Sequence, residues 1–299
     1  MLPIAYHPIY KYPVPDGHRF PMDKYELLPI QLLREGIALP SDFFQPEPVE
    51  IPDVYAVHDK TYVDRFLNCQ LDKQEMRRIG FAQSPMLTER ELRITNGTLQ
   101  GALRALETGI AFNIAGGTHH ASRDHGEGFC IINDQAVAAQ YLLDQKKARH
   151  VLIIDLDVHQ GNGTANIFAN EPGVFTFSVH GRNNYPFRKE KSDLDVPLED
   201  KTDDATYMKA LRETLPGLIE QLKPDFIFYQ AGVDILSTDK IGRMSCTPDG
   251  CRQRDTLVFK IAESRGIPVQ CSMGGGYSPQ LRTILDAHTN TFRIASHIF

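Results

Sequence analysis

Two acidic residues and a histidine follow one apolar segment of the sequence at a spacing suited to binding a metal ion. Residues 151–156 are apolar apart from Asp155, and Asp157 and His159 come next. Alternate side chains of an extended chain share a face, so all three point the same way at a strand's carboxyl end, where open α/β sheets place their sites. A carboxylate and an imidazole two residues apart make good neighbouring ligands, although a strand-end acid can also simply cap the next helix.

A further acidic residue follows a second apolar segment. Residues 226–229 are aromatic or β-branched, and Asp234 comes after them and a short Gln-Ala-Gly-Val stretch. An acid at the mouth of another parallel strand completes a three-ligand site with an open fourth position, as in catalytic zinc sites. The alternative is a loop aspartate that binds backbone amides of its own loop.

Adjacent histidines offer proton transfer beside such a site. His119 and His120 follow a Gly-Gly-Thr stretch after residues 111–114, which are apolar apart from Asn113. Amide hydrolysis needs a base for water and an acid for the leaving amine, and imidazole serves both near neutral pH. Asp155, through its charge, and Asn162, through orientation alone, are the candidate partners of these rings. A structural role for each histidine is the competing interpretation.

A tyrosine after a glycine-rich run supplies a further polar group. Tyr277 follows Gly274-Gly-Gly, and a phenol placed there can donate to an oxyanion as it develops. Glycine-rich loops also bind phosphates. Neither G-x-x-x-x-G-K-[S/T] nor G-x-G-x-x-G is present to support that interpretation.

The elements that must position these residues follow an alternating pattern. Strands are predicted within residues 111–114, 151–156, 174–179, 226–229 and 267–271, and the clearest amphipathic helix spans 208–222. Such alternation is typical of an α/β fold with a mostly parallel sheet and helices on both faces. No linker or repeat divides the chain, so we expect a single domain over residues 1–299. The irregular stretches 7–23 and 181–200 are candidates for a pocket rim.

Composition excludes several classes of function. The net charge of −6 gives no basic surface for nucleic acid. No run of about 18 apolar residues is present to span a membrane, and the first residues do not resemble a secretory signal. An odd number of scattered cysteines indicates reduced thiols, so we expect a cytoplasmic protein, or a nuclear one in a eukaryote. The sequence makes no prediction of oligomeric state.

The motifs, taken in order, resemble those of the histone deacetylase family. GHRFPMDKY, GGTHHA, GFCIINDQAVAA, DLDVHQGNGT, FSVHGRNNYP, AGVD and GGGY extend over nearly the whole chain. Asparagine at position 162 is closer to class IV and bacterial-type members than to class I, which has aspartate there. The resemblance implies an arginase-like α/β domain with an eight-stranded parallel sheet and a metal-dependent hydrolase of N-acyl amides.

The resemblance also implies roles for the polar residues. It makes Asp157, His159 and Asp234 the ligands of a Zn²⁺ ion, with Fe²⁺ as the alternative metal. His120 becomes the general base and acid, His119 its electrostatic companion and Tyr277 the donor to the substrate carbonyl. Since Asn162 carries no charge, the resemblance leaves the basicity of His120 and the division of labour between the two histidines open.

Further residues are assigned by the same resemblance to a substrate tunnel, an exit channel and a potassium site. The tunnel would close around the methylenes of a lysine side chain and exclude water. Arg19 would line an inner channel through which acetate leaves, and Asp155 and Ser178 would bind a structural K⁺. The residues expected to contact substrate are Gly128, Phe129, Tyr185, Ile241 and Gly275.

Enzymes of related activity have different residues at three positions of this sequence. Ureohydrolases share the fold but bind two metal ions through further carboxylates, and the matching positions here are Gly161 and Leu236. Polyamine deacetylases place a glutamate where this chain has Ile241. We therefore expect an acylated lysine side chain of a protein or peptide, carrying acetyl or a longer acyl group, as the substrate. A small N-acyl amine is the alternative, and a non-catalytic binding module is disfavoured because every catalytic group is present.

Overall fold

One parallel sheet organises the molecule. The computed structural model describes residues 2–299, and its eight strands are all parallel, in the order β2-β1-β3-β8-β7-β4-β5-β6. The strands are β1 (Ile4–Ala5), β2 (Phe43–Phe44), β3 (Ile110–Asn113), β4 (Val151–Asp155), β5 (Val174–Gly181), β6 (Leu194–Leu198), β7 (Phe226–Gln230) and β8 (Val269–Ser272).

Ten α-helices cover both faces of this sheet. They are α1 (Lys24–Arg34), α2 (Ile51–Tyr55), α3 (Lys60–Leu67), α4 (Lys73–Ile79), α5 (Pro85–Thr108), α6 (Asp134–Asp144), α7 (Asn162–Phe168), α8 (Asp204–Leu222), α9 (Pro248–Ser264) and α10 (Leu281–Ile298). Helices α1, α8, α9 and α10 pack against one another as one group, and α2, α3, α5, α6 and α7 form the other. Among residues 2–299, no helix has the length and apolar character needed to cross a bilayer.

The central strands are the ones that the sequence predicts. Strands β4 and β7 are buried along their whole length, because helices cover both sides of the sheet. The expected mostly parallel sheet is confirmed, and it is parallel throughout. The stretch 181–200, predicted to be irregular, contains strand β6, which pairs with the end of β5. Because β6 is a half-buried edge strand that includes Pro197, it lacks a continuous apolar pattern.

The carboxyl ends of four neighbouring strands meet at one edge. Asp155 of β4 pairs in register with Gln230 of β7, which pairs with Ser272 of β8, which pairs with Asn113 of β3. The loops that follow these four strands therefore converge, although they are far apart in the sequence.

A buried arginine beneath this edge ties two of the loops together. Arg254 of α9 is fully buried and donates hydrogen bonds to the carbonyl oxygens of Leu156, Ala231 and Gly232, which lie just beyond β4 and β7. Its charge is balanced by Asp255, 2.8 Å away. The same carboxyl group accepts hydrogen bonds from the hydroxyls of Tyr229 and Thr291.

Candidate metal centre and catalytic site

Asp157, His159 and Asp234 converge at the carboxyl edge of the sheet. One ligand atom from each lies within 4.8 Å of the other two, and all three side chains are buried. The Nδ1 atom of His159 is 3.0 Å from Oδ1 of Asp157 and 3.2 Å from Oδ2 of Asp234. Within residues 2–299 this is the one such group of three His, Cys, Asp or Glu side chains.

Backbone amides from neighbouring loops hold the two carboxylates in place. Gly275 N–H donates to Oδ2 of Asp157 at 2.8 Å, and Val158 N–H donates to Oδ1 of Asp234 at 2.9 Å. A Cβ atom on Gly275 would lie 2.0 Å from Oδ2 of Asp234, so only glycine fits there. Gly275, expected to contact substrate, thus lies against the two carboxylates of the candidate metal site and lines the narrow inner part of the site.

The three side chains fit a divalent cation. Oδ2 of Asp234 is buried and has no hydrogen-bond partner among residues 2–299. Burial and the nearby Asp157 carboxylate raise the pKa of Asp234 to about 7, because two buried negative charges repel each other. A tetrahedral zinc site with bonds of 2.0–2.1 Å separates its ligand atoms by about 3.3 Å, close to the spacing around His159. A cation would both satisfy the free oxygen and remove the repulsion.

The two adjacent histidines have different partners. His119 Nδ1 lies 2.7 Å from Oδ2 of Asp155, and His120 Nδ1 lies 2.6 Å from Oδ1 of Asn162. Burial lowers the pKa of His119, but the charge and hydrogen bond of Asp155 outweigh it and raise that pKa to about 9. For His120, burial and then the His119 and His159 rings lower the pKa well below 6.5. The pair therefore combines a cationic ring with a neutral one.

The loop that carries these histidines is fixed by one carboxylate. Oδ1 of Asp134, in the first turn of α6, accepts hydrogen bonds from the Gly117 and Thr118 N–H groups at 2.9 and 2.8 Å. The Thr98 hydroxyl donates to its other oxygen at 2.5 Å. Sequence analysis did not single out Asp134, although it lies within the GFCIINDQAVAA motif.

Glu127 is a second residue that sequence reasoning missed. Its Oε1 accepts a hydrogen bond from Nδ2 of Asn162 at 2.6 Å. The neutral amide that contacts His120 is therefore itself bound to a carboxylate. Only its position directly before the expected tunnel residues Gly128 and Phe129 hints at this contact in the sequence.

Tyr277 is positioned by another unpredicted acid, Asp239. Oδ2 of Asp239 accepts from the Tyr277 N–H at 2.6 Å, and its Oδ1 accepts from the Ile241 and Gly242 N–H groups. The Tyr277 ring centroid is 6.4 Å from that of His159. Asp239 thus joins the tyrosine loop to the loop that carries Ile241.

An outer pocket of ≈ 350 Å³ leads to these groups. The residues that line it include Gly128, Phe129, Tyr185 and Ile241, together with His120, His159 and Tyr277. The Tyr185 and His120 ring centroids are 5.0 Å apart in an edge-on arrangement. A smaller inner cavity of ≈ 40 Å³ continues past the histidines and is lined in part by Gly117, Asp157 and Arg90.

The expected position of Arg19 in an inner channel is wrong. Arg19 is exposed and lines the outer pocket. Its neighbours His18 and Phe20 both turn inward, with ring centroids 5.7 and 5.6 Å from that of Phe81, so the side chain between them faces outward. The arginine that lines the inner cavity is Arg90. The buried Lys24 donates to the carbonyl oxygen of Gly274, another residue of that cavity, at 2.8 Å.

Asp155 and Ser178 are neighbours across two strands. They are register partners on β4 and β5, and both line a small cavity beside Thr176 and Gly161. The Ser178 hydroxyl is 2.9 Å from Nδ1 of His180. The structure brings together the two side chains assigned to potassium, and binding of that ion stays a prediction.

Known proteins are similar in sequence to this chain along almost its full length. The chain is 41% identical over 297 residues to an uncharacterized protein of Picosynechococcus sp. (strain ATCC 27264 / PCC 7002 / PR-6), covering 99% of each. It is 28% identical to histone deacetylase 2 of Arabidopsis thaliana, over 92% of this chain and 74% of the relative. It is also 28% identical to the acetoin utilization protein AcuC of Staphylococcus aureus (strain MSSA476), over 93% and 77%.

Solved structures share the fold. A crystal structure of an HDAC homologue complexed with SAHA superposes with a TM-score of 0.84 at 24% identity, covering 100% of this chain and 84% of that one. An HDAC homologue from Aquifex aeolicus gives 0.83 at 23% identity, with the same coverage. The expected arginase-like fold is thereby confirmed. The family model described as the histone deacetylase domain matches residues 18–292, and this chain belongs to the histone deacetylase family.

Proposed function

We propose that this protein hydrolyses the amide of an acylated lysine side chain by metal-assisted attack of water. The observation that carries the proposal is the convergence of Asp157, His159 and Asp234 beside His120, at the bottom of a pocket open to solvent. Membership of a family of deacetylases supports this reaction class. A carboxylate and an amine are the products: water oxygen bonds to the carbonyl carbon, and the carbon–nitrogen bond breaks.

Asp157, His159 and Asp234 would hold one divalent ion. Two carboxylate oxygens and an imidazole nitrogen suit Zn²⁺ and also Fe²⁺. When bound, such an ion polarises the amide carbonyl and makes nearby water more acidic. A single group of three ligands supports one ion rather than the two of ureohydrolases.

His120 moves the proton. Because its Nδ1–H donates to Asn162, its Nε2 is the nitrogen left to accept a proton from water. The lowered pKa of His120 keeps that nitrogen neutral at physiological pH. His120 then returns the proton to the amine as the carbon–nitrogen bond breaks. His119, held cationic by Asp155, stabilises the negative charge that develops nearby.

Tyr277 and the tunnel walls complete the site. The Tyr277 hydroxyl would donate to the oxyanion of the tetrahedral intermediate, a contribution of about 2.7–4 kcal/mol for a well-placed donor. Phe129 and Tyr185 would enclose the lysine methylenes and exclude water. The inner cavity of ≈ 40 Å³ suits a short acyl group such as acetyl.

Two ancillary expectations belong with this proposal. A structural K⁺ would bind near Asp155, the last residue of β4, and its register partner Ser178 within β5. The five cysteines are all free thiols, which supports a reducing compartment such as the cytoplasm.

The test is a panel of substrates on one Zn²⁺-loaded preparation. Peptides carrying an Nε-acyl-lysine of increasing acyl length are assayed alongside acetylated polyamines. We expect acetyl-lysine peptides to be hydrolysed fastest and chelator treatment to abolish turnover. Faster release from polyamines would replace the lysine substrate with a small amine, and activity that survives complete metal removal would refute the mechanism.

A further inference from the structure

Exposed positive side chains line the outer pocket. Arg19, Arg78 and Arg243 line it, and no aspartate or glutamate among residues 2–299 does so. These three side chains, which we call the arginine rim, come from the loop before α1, the last turn of α4 and the loop after β7. Three separate segments of the chain therefore each contribute a positively charged side chain to the pocket.

The charge of the arginine rim is largely free to act on a ligand. Arg19 and Arg78 are exposed, and neither has an ion-pair partner within the described residues 2–299. Arg243 is about half exposed and lies 3.3 Å from Asp200, which neutralises part of its charge. The protein as a whole carries a net charge of −6, so this local excess of cations runs against the average composition.

The adjoining loop extends the positive surface and adds an apolar contact. Nζ of Lys189 donates to the carbonyl oxygens of Asn184 and Pro186, both at 2.6 Å, and so fixes this loop. Phe187 beside it lines the pocket and is 85% exposed. Between β5 and β6 the chain has four cations, Arg182, Arg188, Lys189 and Lys191, against the two acidic residues Glu190 and Asp193. Arg182 is paired with Glu199 at 2.6 Å, so the other three cations supply the positive charge of this loop.

The direction of the substrate decides which part meets the rim. If the carbonyl lies between His120 and Tyr277, the acyl group occupies the inner cavity of ≈ 40 Å³. The amine side then leads outward through the ≈ 350 Å³ pocket to the arginine rim. Any anionic recognition at the rim therefore concerns groups that flank the lysine, and not the acyl chain.

We propose that the arginine rim recognises acidic residues flanking the acyl-lysine of a peptide or protein substrate. This inference rests on the proposed function and narrows its substrate class. Arginine side chains pair readily with carboxylates, and three of them from separate segments of the chain exceed what one small carboxylate needs. The exposed Phe187 ring offers a further contact to a polypeptide. Basic substrates are repelled by the same surface.

The test compares matched peptides for binding and for turnover. Each contains one Nε-acetyl-lysine flanked on both sides by Glu, by Gln or by Lys, and a fluorescent label reports binding to the Zn²⁺-loaded enzyme by anisotropy. We expect the Glu peptide to exceed the Gln peptide about tenfold in affinity and in kcat/KM at low ionic strength, since each exposed ion pair contributes severalfold at most. The preference should shrink in high salt.

Variants locate the effect. Arg78→Glu combined with Arg19→Glu should abolish or invert the ratio of the Glu to the Gln peptide. The matched control is Arg212→Glu combined with Arg252→Glu, which makes the same change of charge in a separate groove lined by Met208, Thr256 and Lys260. This control should keep the wild-type ratio. If both double variants lost the preference for the Glu peptide equally, the preference would be a general effect of net charge. The proposal that the arginine rim recognises acidic residues would then be overturned.

Two further outcomes separate the inference from the proposed function. If the Glu peptide binds more tightly but no peptide is cleaved, the rim stands and the hydrolase proposal fails. If all peptides are cleaved with equal kcat/KM and bind equally, the hydrolase stands and the rim proposal fails. The last comparison measures the binding and turnover of free Nε-acetyl-lysine against those of its α-carboxamide, which lacks the carboxylate. A tenfold gain from that single carboxylate would replace the peptide with a small acid as the ligand.

Discussion

The Nδ2 amide of Asn162 donates a hydrogen bond of 2.6 Å to the carboxylate of Glu127. The Oδ1 atom of the same asparagine faces Nδ1 of His120, also at 2.6 Å. A negative charge thus sits one side chain further from the imidazole than in class I members of the family, and we expect the amide to transmit part of its effect. Glu127 acts as a positioning residue in this arrangement.

Replacing that charge should slow the reaction. We expect Glu127→Gln to lower kcat about tenfold while KM changes little, because a hydrogen bond to a charged group contributes about 1.5–3 kcal/mol and only part of it reaches His120. Steady-state kinetics on the Zn²⁺-loaded enzyme measures this. Glu213→Gln, on the exposed face of α8, is the matched control.

An exchange of the two side chains sharpens this test. Asn162→Asp alone sets two carboxylates against each other and should also lose activity. Combined with Glu127→Gln, it restores a donor–acceptor pair with the charge moved next to His120. We expect the double variant to be more active than either single variant. If the double variant had a kcat no higher than that of the less active single variant, the amide of Asn162 would not transmit the effect of the Glu127 charge to His120.

Loss of the Tyr277 hydroxyl should affect chemistry alone. Tyr277→Phe keeps the ring that packs near His159 and Phe129 but removes the donor to the oxyanion. We expect kcat to fall by a factor of about 10² to 10³. Metal content and thermal stability, measured on the same sample, should stay at wild-type values. Unchanged turnover would remove Tyr277 from the mechanism.

The metal ligands should couple Zn²⁺ binding to stability. Zn²⁺ at about 100 times its dissociation constant adds about 2.7 kcal/mol to the free energy of unfolding, which raises Tm by about 5 °C in a protein of this size. Asp234→Asn should lose this response, since it removes one of the two buried carboxylates. Thermal melts with and without Zn²⁺ check the effect, and elemental analysis should find one ion per chain. Two equivalents would favour a binuclear centre.

The buried Arg254 should stabilise the fold beneath the site. Arg254→Met leaves Asp255 as an unpaired buried charge and should lower the free energy of unfolding by about 3–5 kcal/mol. Arg252→Met, two residues away on α9 and more than half exposed, should change it by less than about 1 kcal/mol. Denaturant unfolding measures both. Equal effects of the two substitutions would mean that burial of the pair is unimportant.

His58 should make stability fall in mild acid. Its Nε2 accepts from the Asn133 N–H at 2.9 Å, its Nδ1 lies 2.9 Å from the Ser122 carbonyl, and burial lowers its pKa to about 4. Because the unfolded chain binds the proton near pH 6.5, stability is fully present above that pH. It declines by about 3 kcal/mol as the pH falls towards 4.

The contribution of His58 can be isolated by comparing pH dependences. His58→Gln should flatten the decline in unfolding free energy between pH 6.5 and 4 relative to wild type. His150→Gln, at an exposed histidine, should leave it unchanged. Parallel curves for wild type and His58→Gln would contradict the buried neutral ring.

Much of this fold follows from local patterns in the sequence. Strands β4 and β7 are evident because they are buried on both faces and so form continuous apolar runs. Strands β1 and β2 are two residues long, and β6 is half-buried, so none of them carries such a signal. Their pairing depends on the sheet already being in place.

The residues of the candidate site likewise include some that the sequence predicts and some that it does not. Asp157, His159 and Asp234 could be singled out because each follows a strand whose end is fixed by the sheet. Glu127 and Asp239 could not, since their contacts join loops whose conformations no periodicity describes. The sequence does not predict the outward position of Arg19, because His18 and Phe20 turn inward onto Phe81. His18 also contacts Gly80, 62 residues further along the chain, and no local pattern describes a contact over that separation.

The hydrogen bond from Gly275 to Asp157 spans 118 positions of the chain. Ribosomal synthesis therefore delivers the first two ligands long before the amide that steadies one of them. A nascent chain halted before β8 would hold all three proposed ligands but not the Gly275 amide, so we expect it to bind an ion more weakly than the folded protein does. On the proposed function, tight metal binding would therefore depend on β8 having joined the sheet.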